Sequence, residues 1–297
     1  VEDTDINISK FTNMELINKF IAAKEIEGCS ERTTKYYYAT LIKMDSMITK
    51  NVTHLTTDDL RMYLTEYQKI NNCSKASIDN IRRNLSSFFS WLEEENYILK
   101  SPMKRIHKIK TDKVIKETYS DETLELLRDN CNNLRDLAII DLLSSTGMRV
   151  GELVRLNIND IDFENNTINV TKTLTYFRKS SKDDFLGYKI SIPKTKSSIR
   201  TIPIPDILLN DLKALLESDK KVYGFNTKWF LFGKDDPITN SKVRCHKNSL
   251  CKKAGLRQIR IHDFRHSCAS LLINNGANIT IVAKYLGHTK IDETLNT

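Results

Sequence analysis

The sequence predicts a mainly α protein with a small antiparallel β-sheet, laid out as an N-terminal helical bundle followed by an α+β domain. Three observations predict it. At 297 residues, and about 150 residues per domain, the prior is two domains. The nine Gly and five Pro fall short of the ordinary usage of about 7% and 5%, which disfavours a turn-rich sandwich or barrel. Apolar residues recur at three- and four-residue steps through the first hundred positions, whereas β-branched alternation is confined to short stretches of the second half. With 40% hydrophobic and 28% charged residues, the chain can bury a core and is not disordered throughout.

The bundle occupies residues 1–102. A first helix is expected around Phe11–Ile26, with Ile17, Phe20 and Ile21 on one face. A second covers Thr33–Ile48, with Tyr37, Leu41, Met44 and Ile48 as its buried stripe. A third follows Thr57, a candidate cap, and places Leu60, Leu64 and Tyr67 together. The fourth has the clearest period: Ile78, Ile81, Leu85, Phe88, Phe89 and Leu92. Four short amphipathic helices can bury their own core. Two of the three consecutive tyrosines Tyr36, Tyr37 and Tyr38 are expected in that core. Lys35, Lys43, Lys75, Arg82 and Arg83 fall on the polar faces.

Ser101-Pro102 ends the bundle, and residues 103–118 read as an extended basic linker without helical or strand period. The net charge of +8 is unevenly placed. Residues 1–100 are slightly acidic, and the most basic stretch is the joint at 101–116. A charge run is ordinarily a solvated surface. Lys104, Arg105, Lys108 and Lys110 would also suit a phosphate backbone, because each cation there displaces a condensed counterion.

The second domain spans 119–297. Ser120 is a cap for a helix carrying Leu124, Leu126 and Leu127, and a central helix follows over about Leu134–Ser144. A short helix starts around Met148–Leu153. Strands are expected at 167–177, 186–193 and 199–204, forming one small antiparallel sheet. Further helices are expected from Pro205-Asp206, at about 240–253, 262–274 and 279–286, and from 291 onward. Gly255, Gly276 and Gly287 stand where helix C-caps belong.

Several function classes are disfavoured. No apolar run approaches the length of a membrane span, and the polar opening Val1-Glu2-Asp3-Thr4-Asp5 is no signal segment. The chain opens on Val1, which leaves room for residues upstream. The six scattered Cys lack CxxC spacing and read as reduced intracellular thiols. His262 and His266 have the spacing of a helical metal pair, but the catalytic Glu of HExxH is absent and Arg265 between them would repel a cation. Metal: none is expected, and no nucleotide-binding GxxxxGK[ST] or Mg²⁺ carboxylate cluster is present.

The chemistry concentrates in three places. Arg149 follows a buried helix at the start of another. It is open to two readings, an ion pair with Glu152 and a phosphate clamp beside helix-start amides. His262 and Arg265 lie one turn apart on a helix, where both can donate to anionic oxygens. His288 follows Leu286-Gly287 at a helix end, where a dipole contact alone would explain it.

Together TGMRVGEL (146–153), HDFRHSCASLLINNG (262–276) and YLGHTKIDETLNT (285–297) resemble the tyrosine recombinase (phage integrase) family in content, order and spacing. Residues 11–105 resemble its helical core-binding domain and 119–297 its catalytic domain. The resemblance implies Arg149, His262, Arg265 and His288 as catalytic residues. It also implies a lysine from the β-hairpin loop, here sought in IPKTKSSIRTIP (192–203), where Lys194 is the choice and Lys196 the rival. The family's nucleophilic Tyr is expected at the position after Thr297, so residues 1–297 should assemble a phosphate site without forming the covalent intermediate. Tyr285 is expected in the core and is not assigned as nucleophile.

The implied activity is site-specific cleavage and rejoining of DNA through a 3′-phosphotyrosyl intermediate, of mobile-element integrase or Xer-like type, in the cytoplasm and with no cofactor. The implied partners are a double-stranded recombination site and further copies of the chain, a tetramer on DNA. The two domains are expected to clamp the duplex, with Lys35, Arg82, Arg83, Lys104, Arg105, Lys108 and Lys110 as DNA-binding residues. A type IB topoisomerase and a non-catalytic DNA-binding regulator are the alternatives.

Overall fold

Hydroxyl caps lay out the first part of the molecule. The computed structural model describes residues 11–111, 117–178, 186–193 and 195–295, and the chain divides into two compact units, Val1–Val114 and Ile115–Thr297. In the first unit, α1 (Asn13–Ile26) starts from Thr12 and α3 (Thr57–Asn71) from Thr56. In each the cap hydroxyl accepts an amide three residues on, and the Glu15 or Asp59 carboxylate reaches back to the cap N–H. Ser30 caps α2 (Glu31–Met47) and Ser74 caps α4 (Lys75–Glu94). Each such cap satisfies an orphan donor and contributes about 1 kcal/mol. The cap of α3 is therefore Thr56 and not Thr57, because only Thr56 stands three residues before Asp59 and can close the reciprocal pair.

The stripe of α4 is buried along its whole length, from Ile78 to Leu92. Phe20 of α1 meets Phe88 edge-on at 5.3 Å and Tyr37 at 5.2 Å. Of the three consecutive tyrosines only Tyr37 packs on this core; Tyr36 and Tyr38 are exposed. The expectation of two fails because neighbouring helical residues point about 100° apart, so a narrow stripe takes one of three.

The basic stretch after the bundle is not a free linker where it is described. Pro102–Arg105 form a 3-10 turn, Met103 is buried, and Ile106 and Ile109 pack against the bundle core. The Ile109 N–H donates to the buried Asp79 carboxylate at 3.0 Å, and the Thr57 hydroxyl donates to the Pro102 carbonyl at 2.8 Å. Positions 103, 106 and 109 repeat every third residue, a period of neither helix nor strand, so the pattern escapes a search for those two. The rest of that segment, 112–116, lies outside the described residues.

The second unit is built around α6 (Leu134–Thr146). It is flanked by α5 (Asp121–Asp129, capped by Ser120), α8 (Asp206–Lys220), α9 (Asn240–Lys253) and α10 (Ile261–Asn274). Three further helices, α7 (Val150–Leu153), α11 (Ile279–Leu286) and α12 (Ile291–Leu295), carry or adjoin the candidate site. β1 (Ile161–Asp162), β2 (Thr167–Val170) and β5 (Arg200–Pro203) form an antiparallel sheet in the order β1-β2-β5, with Val170 opposite Arg200. β3 (Thr173–Arg178) and β4 (Leu186–Ser191) pair separately, with Tyr176 opposite Tyr188. The single expected sheet is thus two. The run 167–177 breaks at Thr171 and Lys172, where the chain changes partner from β5 to β4. β4 and β5, the strands on either side of the expected lysine loop, lie in different sheets.

Among the described residues no helix is long and apolar enough to cross a membrane.

Candidate active site

Two left-handed glycines deliver the site. Gly147 ends α6 with φ +57°, and a Cβ there would lie 2.5 Å from Leu286 Cδ2 and 3.3 Å from Cys268 Sγ. Gly287 ends α11 with φ +71°, and a Cβ would lie 2.8 Å from the Ser197 carbonyl oxygen. Both positions need positive φ and close approach, which only Gly supplies without strain. The turns they make present Arg149 two residues after the first and His288 one residue after the second.

Arg149 is anchored by Glu152 of α7. Its N–H donates to Glu152 Oε2 at 2.8 Å and its Nη1 to Glu152 Oε1 at 3.1 Å. The ion-pair reading of Arg149 and its exposure to a cleft therefore hold together. Glu152 is 2% exposed. It is also gripped by Arg200 of β5, at 3.3 Å to Oε1 and 3.0 Å to Oε2. Burial pushes the Glu152 carboxyl up, but the hydrogen bond and charge of Arg200, then the amide and charge of Arg149, outweigh it and hold it below the usual carboxylate range.

Arg265 of α10 is 1% exposed. Its Nη1 donates to the Gly147 carbonyl at 2.9 Å, its Nη2 to the Leu286 carbonyl, and its Nε to His288 Nε2 at 3.2 Å. It thereby ties both glycine turns together. Burial, followed by the charges of Arg149 and Arg200, brings its pKa down to about 9. His288 accepts from Arg265 at Nε2, so its proton is assigned to Nδ1, which donates to Thr294 Oγ1 of α12 at 2.8 Å. Burial, then Arg265 and Arg149, pushes His288 down to about 3. It is a neutral brace, with both ring nitrogens engaged inside the protein. His262 is exposed and meets the buried His266 ring edge-on at 5.0 Å.

Arg149, His262, Arg265 and His288 line one open cleft of about 460 Å³, together with His266, Lys290, Asp292 and Glu293. Lys194 lies outside the described residues, while its rival Lys196 is exposed on the 3-10 turn Lys196–Ser198. That turn borders the site, since Ser198 Oγ lies 3.5 Å from Arg149 Nη1. Tyr285 is held in the core by its hydroxyl, which donates to the Ser145 carbonyl at 2.8 Å, and burial pushes its phenol up. Among the described residues no group of three or more His, Cys, Asp or Glu is placed to hold a metal ion.

The residues assigned to DNA binding belong to the first unit and differ in what holds them. Lys35 pairs with Glu31 at 2.7 Å on the open face of α2. Arg82 and Arg83 both bond to Asp79, at 2.8 and 3.1 Å; Arg82 is largely buried by this and Arg83 stays exposed. Burial raises the Asp79 carboxyl, yet Arg82, the Ile109 amide and Arg83 together hold it low. Lys104 pairs with Glu93, and Arg105, Lys108 and Lys110 are exposed. The reading from sequence missed Arg200, Asp79 and Thr294. Glu152 it found, because that pair is local.

Two guanidiniums and an exposed imidazole line one cleft beside a buried, paired carboxylate, an arrangement of donors suited to an anionic oxygen. The chain belongs to the phage integrase family, the tyrosine recombinases: the family's model matches residues 113–297, and that of the phage integrase N-terminal SAM-like domain matches 16–99. Tyrosine recombinase XerC of Staphylococcus aureus (strain bovine RF122 / ET3-1) is 29% identical over 276 residues, covering 89% of this chain and 85% of the relative. The Tn1549 transposon integrase in complex with a circular intermediate DNA superposes with a TM-score of 0.79 at 22% identity, over 97% of this chain and 95% of that one. A lambda integrase tetramer bound to a Holliday junction gives 0.68 at 17% identity, over 98% and 80%. These two structures share the fold.

Proposed function

We propose that this chain is a site-specific DNA recombinase that cleaves and rejoins strands through a 3′-phosphotyrosyl intermediate, in integration or excision of a mobile element. One observation carries the reading: Arg149, His262, Arg265 and His288, from three separate stretches of a family-matched chain, line the same cleft. Arg149 grips a non-bridging oxygen from the cleft wall. Arg265 has five N–H donors, of which three are engaged with protein acceptors; the other two and its charge stabilise the five-coordinate transition state. His262, exposed on the cleft wall, is the imidazole that manages the proton of the nucleophile, while His288 braces Arg265.

In this reading the nucleophile is the tyrosine that the family's pattern calls for, and its oxygen attacks phosphorus as His262 takes its proton. The P–O5′ bond breaks, and the departing oxygen takes a proton from Lys194 or its rival Lys196. Rejoining reverses these steps, with a 5′-hydroxyl displacing the tyrosine. The phosphotyrosyl bond conserves the energy of the phosphodiester, so no nucleotide is consumed. Double-stranded DNA is the partner, and four copies of the chain acting together on it fit strand exchange between two duplexes. The cytoplasm suits this work and the six free thiols.

The test is covalent trapping on a nicked duplex by protein that carries the tyrosine. Arg149→Ala should bind the same DNA yet trap it at least about a hundredfold more slowly, the usual cost of losing one such donor. Undiminished trapping would refute the assignment. Binding without trapping by the wild type would favour the non-catalytic regulator, and sequence-independent supercoil relaxation the topoisomerase.

A further inference from the structure

Arg200 grips Glu152 beneath the site but has no part in the reaction proposed above. Its side chain is 6% exposed, and its donors are distributed over three pieces of the chain. Nε donates to the Tyr285 carbonyl at 2.9 Å, in the last turn of α11 before Gly287-His288. Nη1 donates to the Ser198 carbonyl at 3.1 Å, in the turn that adjoins Lys196. Nη1 and Nη2 together take both oxygens of Glu152. The segments that present Arg149, the lysine turn and His288 therefore meet on one planar guanidinium.

From this geometry we infer that Arg200 is a positioning residue for strand cleavage: it occupies Glu152 end-on, so that Arg149 is held by Nη1 alone and keeps its remaining donors for the phosphate. The inference rests on the recombinase reading. Glu152 carries one negative charge and faces Arg149 from the turn before its own helix, Arg200 from β5 and Arg265 from α10. Without Arg200, the buried carboxylate has Arg149 as its one remaining bonded cation. It then draws that guanidinium into a two-point fork and away from the cleft. A lysine cannot replace the fork, because an ammonium is a point donor without the planar spread that reaches two carboxylate oxygens and two carbonyls.

The experiment compares the wild type, Arg200→Gln and Arg200→Lys, each carrying the tyrosine. The probe is a nicked duplex selected from a randomised pool by its binding to the wild type. Single-turnover trapping, DNA affinity and thermal unfolding are measured for each. Arg200→Gln should trap about a hundredfold more slowly, the scale of a misplaced catalytic group, with DNA affinity changed less than about threefold. Its rate should also gain an acid limb. With its main cation gone, the buried Glu152 carboxyl rises, and trapping falls as pH drops through the raised value. Arg200→Lys, which keeps the charge, should lose about tenfold, and it decides the matter alone if Arg200→Gln does not fold. Trapping by a folded variant at the wild-type rate, equal losses of rate and affinity, or an unmoved pH profile would overturn the inference. Absence of trapping by the wild type would overturn the recombinase reading as well, whereas equal trapping by all three overturns this inference alone.

Discussion

Phe20 and Arg265 are enclosed in their respective units, at 0% and 1% exposure, and they are enclosed for opposite reasons. Phe20 sits among Tyr37, Phe88 and Trp91, where apolar area removed from water is the whole return. Arg265 sits among two carbonyls, an imidazole and two further arginines, where burial opposes its charge. Among its described residues the bundle keeps its formal charge largely outside, with Asp79 as the exception. The second unit encloses Arg265, which lines the cleft, and the Glu152–Arg200 pair that anchors the cleft-lining Arg149. A fold gains nothing in stability from burying several charges around one cleft. Under the proposed function it gains a pre-set electrostatic field where the phosphate is to sit.

The contrast breaks most sharply at its two centres. Arg265→Ala strands the Gly147 and Leu286 carbonyls and His288 Nε2, at about 1–3 kcal/mol for each buried group left unpaired. It should melt the second unit earlier and slow trapping by about 10²–10³; a stable variant with full activity would remove the contrast. Phe20→Ala should cost about 3–5 kcal/mol in denaturant unfolding of the first unit. Its trapping rate on saturating DNA should stay within about threefold of wild type, since the loss is one of packing. A slowed chemical step there would show that the bundle does more than bind.

Acid should separate the units more gently. The folded His288 resists protonation down to about 3, while the unfolded chain takes that proton below about 6.5. Between those values the unfolded state binds more protons, so stability drains as pH falls. His288→Asn should flatten that decline in unfolding experiments run across the window; parallel curves for variant and wild type would contradict the neutral brace. The smallest effect is expected at the surface of the first unit. Neutralising Lys104, Arg105, Lys108 and Lys110 together should leave stability nearly unchanged and lower the salt dependence of DNA binding, by about one unit of slope for each phosphate no longer neutralised. An unchanged slope would take the basic strip out of the interface.

What could be read without coordinates was local. The stripe of α4 and the caps Ser120 and Gly287 repeat or stop within a turn, and the physics that makes a helix acts over the same distance. The Arg149–Glu152 pair is three residues apart and was legible for that reason. The anchoring of 103–111 was not, because Asp79 is thirty residues from the amide it binds. Arg200 was invisible as a site residue, since its partners Glu152 and Tyr285 stand 48 and 85 positions away. Nor did the strand pattern reveal two sheets, because alternation marks a strand but not its partner.

The residues alone thus determined a two-part, mainly helical chain and named the arginines and imidazoles that a phosphate site would need. Tertiary structure decided which of them touch, and in what state. Arg265 has its pKa brought down to about 9 and His288 stays neutral because burial and neighbouring guanidiniums, brought in from distant stretches, set the cost of charge. Desolvation and Coulomb energy depend on distances in space, which separation along the chain does not encode.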